Sequence, residues 1–138
     1  MPAARSKKDN RGFVMSTTFH NIHAWVKAHE FVLAVYKKTK SFPAYEKHGL
    51  WSQFTRAAVS IPANIAEGHK RISKTEKLRF YNIAQGSLEE CRYYIILSHD
   101  LGYINETDTY ELNYLLNNAS VLLNAYINGI VNNTGIKD

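Results

Sequence analysis

The run Ser73-Lys74-Thr75-Glu76 reads as a capping box, in which the serine hydroxyl and the glutamate carboxylate each satisfy an amide that a helix start leaves free. Behind it, apolar residues recur at three- and four-residue spacing as far as about His99. A segment with that period cannot alternate its faces as a strand must, so it fixes a long helix. It carries two apolar stripes: Leu78, Tyr81, Ala84, Leu88, Cys91 and Ile95 on one, and Phe80, Ile83, Ser87, Tyr94, Leu97 and Leu101 on the other. A helix apolar on two sides is central to its bundle or shared with another subunit. Gly86-Ser87 at its middle would permit a close crossing.

Three further helices are expected around it. The first begins after Asn21 as N-cap, carries Ile22, Trp25, Val26, His29, Val32, Leu33 and Tyr36 inward, and stops near Lys40 before the Ser41-Phe42-Pro43 turn. The second runs from about Ala44 or Glu46 to Glu67, burying Leu50, Phe54, Ala57, Ala58, Ile61, Ile65 and Ala66, with Gly68 as its stop. Pro62 lies inside it, where the missing amide predicts a kink rather than a break, with Ser60 placed to satisfy freed groups. After a turn at Gly102, Asn105 or Thr107 caps a fourth helix that reaches about Val131 and buries Leu112, Leu115, Leu116, Ala119, Leu122, Leu123, Tyr126, Ile127 and Ile130. Short connections favour antiparallel neighbours, so the expected fold is all-α, an up-down-up-down four-helix bundle over residues 19–133 with long third and fourth helices. No strand alternation stands out. Residues 1–18 read as a disordered basic arm, with Met15 an alternative start that would make 1–14 non-native, and 134–138 read as a tail.

Charge is polarised along the chain. The net +5 comes from Arg5, Lys7, Lys8 and Arg11 in the arm and from Lys70, Arg71, Lys74, Lys77 and Arg79 around the junction of the second and third helices, while the C-terminal part is acidic. The second cluster is the candidate phosphate-contacting surface, because each cation placed on a phosphate releases counterions. Its competing reading is a solvated helix start. The lone cysteine, Cys91, sits in an apolar stretch and forms no internal disulfide, which suits a reducing cytoplasm. No apolar run reaches the length of a membrane span, so no membrane partner is expected.

Other chemistry finds little support. His20, His23 and His29 lie close in sequence, but no glutamate precedes a histidine by three residues as a bundle di-metal site requires, so no metal or other cofactor is expected. Arg92 and His99 share the third helix at the spacing of small helical ribonucleases, where histidine acts as base and arginine stabilises the phosphorane-like charge. A helix-terminal histidine complementing the dipole is the plainer account. The tryptophans and tyrosines at helical spacing are assigned to core and interface rather than to base stacking.

With the helices placed, Glu46 to Gly68, reading EKHGLWSQFTRAAVSIPANIAEG, resembles the four-helix bundle family of 23S ribosomal RNA intervening sequence proteins. Arg56 through Gly68 matches the family run Arg-Ala-Ala-x-Ser-Ile-Pro-x-Asn-Ile-Ala-Glu-Gly; Trp25, Phe42-Pro43, the stretch Ile83 to Glu90 and Leu101-Gly102-Tyr103 add to it. The resemblance implies a homopentameric barrel similar to the accessory proteins of diversity-generating retroelements, which associate with nucleic acid and reverse transcriptase. It implies no established enzymatic activity. Arg56, Ser60, Pro62, Asn64, Glu67 and Gly68 are then structural motif residues, with Arg56 either paired inside the assembly to a carboxylate such as Glu67 or Glu89, the favoured reading, or facing the polyanion. The function expected from sequence is a homo-oligomeric scaffold that binds RNA or DNA, or a ribonucleoprotein, through its basic surface. The alternatives are a protein-directed assembly module and the Arg92/His99 ribonuclease.

Overall fold

The computed structural model describes residues 7–8, 14–15 and 19–133. Four helices account for most of them: α1 (His23–Lys38), α2 (Leu50–Lys70), α3 (Lys74–Asp100) and α4 (Glu106–Asn132). They form a four-helix bundle in which α1 packs on α2 and α4, and α3 on the same two. Helices α3 and α4 are the longest, at 27 residues each. The starts of α1 and α3 and the ends of α2 and α4 share one end of the bundle, which brings His69 beside Ala24 and Tyr126 and Lys74 beside Val131. The opposite end is tied by Lys38, whose ammonium sits 3.1 Å from Asp108 and 3.2 Å from Glu111.

Of the basic arm, the described residues are two short strands, β1 (Lys7–Lys8) and β2 (Val14–Met15), paired antiparallel with Lys7 opposite Met15. The sequence gives no sign of them, because two-residue strands are too short to show a period-two pattern. The rest of that arm, and the tail over 134–138, lie outside the described residues.

The starts and stops of the helices follow local chemistry. Ser73 Oγ accepts from the Glu76 amide at 3.1 Å and Asn105 Oδ1 from the Asp108 amide at 2.7 Å, as capping residues do. Gly102, at φ +77°, closes α3: its amide donates to the His99 carbonyl and the Tyr103 amide to that of Ser98, a Schellman pattern that needs a left-handed residue. Asn21 does not cap α1. A 3-10 turn over Phe19–Asn21 precedes it and Ile22 takes the cap position. Helix α2 starts later than the sequence suggests, after a 3-10 turn over Ala44–Glu46, and Glu46 Oε1 accepts from the Leu50 amide at 2.9 Å.

The core runs the length of the bundle through Phe31, Phe54, Ile61, Ile65, Tyr81, Cys91, Ile95, Leu112, Leu116 and Leu123. On α1 the buried face is Ala24, Ala28, Phe31, Val32 and Val35: Val32, and Ile22 just ahead of the helix, are buried as expected, and the rest of the face lies one position away from the expected residues. His29 is exposed, as are Leu33 at 57% and Tyr36 at 42%. The two alanines explain the shift: small side chains add little to a hydropathy pattern, yet they allow the neighbouring helices to approach. Gly68 is likewise not a stop. It lies buried inside α2, where an added Cβ would fall 2.5 Å from the Tyr81 ring. Gly86, by contrast, has open space around it, and it is Ser87 that lies buried where α3 meets α2.

Candidate functional site

The short connection between α2 and α3 puts the cations of both helix ends on one surface. Lys77 Nζ reaches back to donate to the carbonyl oxygens of His69 at 2.9 Å and Gly68 at 3.4 Å, closing the C-terminal end of α2. Partial burial pushes its pKa down. Lys74 Nζ donates to the Val131 carbonyl at 3.3 Å, near the end of α4. Both lysines therefore neutralise the negative ends of helix dipoles. Arg71 pairs with Glu67 and Arg79 with Glu76, the latter at 3.3 Å. Their guanidinium carbons stand 4.8 Å and 4.6 Å from the centroid of the Phe80 ring, so one aromatic side chain positions two cations. Lys70 is exposed and makes no ion pair among the described residues.

All five predicted cations thus come together, but with different duties. Lys77 and Lys74 work as caps on helix ends, Arg71 and Arg79 are held by a carboxylate and a ring, and Lys70 is the most open to a partner. The two carboxylates, Glu67 and Glu76, leave the surface positive. His69 beside it is pushed toward the neutral form by burial and by Lys77 and Lys70.

The motif residues of α2 make a second arrangement, on the face toward α3. Pro62 lies within the helix and supplies no amide to the Ala58 carbonyl. Close by, Asn64 Nδ2 donates to the Ser60 carbonyl at 2.8 Å and to Ser60 Oγ at 2.9 Å. Ser87 Oγ on α3 donates to Ser60 Oγ at 2.8 Å, so the proline segment is held by a polar chain crossing between the helices. The groove above it, about 320 Å³, is flanked by Arg56 and Glu90. Arg56 is exposed and pairs with neither expected carboxylate within the chain: Glu67 holds Arg71, and Glu89 sits 3.2 Å from Arg92.

Arg92 also donates to Asn117 Oδ1 at 2.5 Å. His99 bonds Glu106 through Nε2 and faces Asp100 through Nδ1 at 3.4 Å; these two carboxylates hold its pKa above the ordinary histidine range. A general base must be neutral at the working pH, and this setting favours the imidazolium. His20 and His29 pack their rings on Trp25, each with centroids 5.1 Å away. No three His, Cys, Asp or Glu side chains gather as a metal requires among the described residues. No helix among them is long and apolar enough to cross a membrane.

Ser60 and Asn64 of the polar chain at Pro62 stand out in sequence as polar residues in an apolar helix, as does Glu67, which turns instead to Arg71; Gly86-Ser87 is legible as a crossing point, but nothing in a sequence pairs Ser87 with a serine 27 positions away. The profile of the 23S rRNA-intervening sequence proteins matches residues 20–125. A crystal structure from Bacteroides thetaiotaomicron, described as a protein with unknown function from the S23 ribosomal protein family, superposes with a TM-score of 0.70 at 24% identity. The alignment covers 75% of this chain and 97% of that one, and it establishes the shared fold. No curated protein matches the sequence.

Proposed function

Because the chain belongs to the 23S rRNA-intervening sequence protein family, we propose that it is a non-enzymatic, self-assembling cytoplasmic scaffold whose basic end binds nucleic acid or a ribonucleoprotein. The observation that carries this reading is the gathering of Lys70, Arg71, Lys74, Lys77 and Arg79 at the α2–α3 junction, where among the described residues only Glu67 and Glu76 pair with them. Helix α1 begins at the same end, so the basic N-terminal segment joins the bundle there. Cations in such an array attract phosphates over several ångströms and gain affinity by displacing counterions.

Self-assembly is supported by the outer face of α4. From Leu112 to Asn133 that helix carries no charged residue, while Tyr110, Tyr114 and Val121 are 74%, 55% and 67% exposed. Surfaces depleted in charge and rich in tyrosine are what subunit contacts bury. A homopentamer, as the family resemblance suggests, would repeat the basic end around a ring and raise its avidity.

The test is a titration of labelled structured RNA and duplex DNA at low and physiological salt, beside a Lys70→Gln/Lys74→Gln/Arg79→Gln variant that spares the cap made by Lys77. Salt-sensitive binding that the variant lacks supports the reading, and preference for RNA points to ribonucleoprotein work. Absence of binding favours the second reading, a protein-directed assembly module built on the α4 face alone. The ribonuclease alternative fits less well with a His99 whose pKa Glu106 and Asp100 raise; RNA cleavage abolished by His99→Ala would restore it.

A further inference from the structure

At the end of the bundle opposite the basic junction, the chain leaves α1 and doubles back at Pro43 into α2, leaving a concave groove of about 410 Å³. That size falls within the usual range for small-molecule sites, roughly 300–1,000 Å³. Its walls are Tyr36, Phe42, Pro43 and Trp51, and its rim carries Lys40 and Lys47. Tyr36 and Trp51 meet edge to face with centroids 6.0 Å apart. Trp51 Nε1 donates to Thr39 Oγ1 at 3.1 Å, and that hydroxyl donates to the Val35 carbonyl at 2.7 Å. The indole is thereby locked in place before any ligand arrives. Its polar atom is also satisfied, so the floor offers an apolar surface.

The open polar groups are the two rim lysines. Both are exposed, and neither makes an ion pair among the described residues, whereas the adjacent Lys38 is occupied by Asp108 and Glu111. A ligand suited to this site needs an apolar body to cover the aromatic walls and a negative charge at its edge. A phosphate chain supplies the charge but leaves the walls bare. We propose that the groove binds a small aryl carboxylate, its ring against Trp51 and Phe42 and its carboxylate toward Lys40 and Lys47.

The experiment follows the indole N–H resonances of the full-length chain during titration with phenylacetate. Trp51 reports the groove, and Trp25, at the other end of the bundle, is the internal control. The expected result is a saturable shift of Trp51 alone, binding of uncharged phenylacetamide about tenfold or more weaker, equivalent to one well-placed ion contact, and loss of that preference in Lys40→Gln/Lys47→Gln. Ala44→Phe, which narrows the groove without touching a charge, should weaken acid and amide alike. The proposal fails if Trp51 is unmoved up to about 10 mM, beyond the millimolar affinity of a weak specific ligand, or if acid and amide bind equally. Tighter binding of an acetylated Glu-Phe-Glu peptide than of phenylacetate also overturns it, in favour of a protein segment as the occupant.

Discussion

Ser60 and Ser87 meet hydroxyl to hydroxyl, 2.8 Å apart, where α2 crosses α3. Ser60 also accepts from Asn64, so it is the middle of a three-residue chain beside a proline. Replacing it with alanine leaves the buried Ser87 hydroxyl without its partner, while Asn64 keeps its bond to the residue-60 carbonyl, and should cost about 1–3 kcal/mol. Ser87→Ala should cost less, and the double variant less than the sum of the two. Urea midpoints at unchanged m-value measure all three.

Gly68 and Gly86, both inside helices, should respond oppositely to alanine. At Gly68 the new methyl meets the buried Tyr81 ring, and overpacking of this kind costs about 1–3 kcal/mol. At Gly86 nothing lies within 4 Å, so the ordinary helix preference of about 1 kcal/mol in favour of alanine should appear as added stability. Thermal unfolding of the two single variants decides it.

Among the basic residues, stability and binding should separate. Lys77→Gln removes a cap on two carbonyls of α2 and should lower stability by about 1 kcal/mol. Lys70→Gln should leave the unfolding midpoint alone and, if nucleic acid binds, reduce the slope of log K against log salt by about one for each phosphate that the lysine engages. Chemical denaturation and the titration at several salt concentrations supply the two readouts.

His99 makes stability depend on pH. Its hydrogen bonds with Glu106 and Asp100 raise its folded-state pKa above the ordinary value of 6.5. Its contribution is therefore complete below that unfolded value and disappears as pH rises through the folded one. Wild type should exceed His99→Gln in stability at pH 5.5 and lose that advantage by pH 9, as measured by urea midpoints across the interval.

The parts of the fold that local chemistry dictates can be read from the chain. Ser73 and Asn105 cap as their residue types require, and Pro62 stays within one helix because its surroundings are otherwise strongly helical. Sequence and structure part where a residue's role is set across the bundle. Ala24 and Ala28 are buried because α1 must lie close to its neighbours, and Gly68 is where it is because of Tyr81, thirteen positions on; neither relation leaves a mark in local periodicity. The cation cluster is visible because it is contiguous in sequence. The division of labour within it is not, since Lys74 acts on Val131 and Phe80 serves two arginines at once.

Glu46 caps α2 with one carboxylate oxygen and, with the other, accepts from the Tyr103 hydroxyl at 2.8 Å. A single side chain thus binds the α1–α2 connection to the α3–α4 connection. Two surface turns that would otherwise fray independently become one cooperative unit, opening together or staying closed together. The far end of the molecule is thereby stiffened by a polar tie that adds to the packing of Phe42 on Tyr103, which keeps the aromatic groove beside it preorganised at little entropic cost on binding.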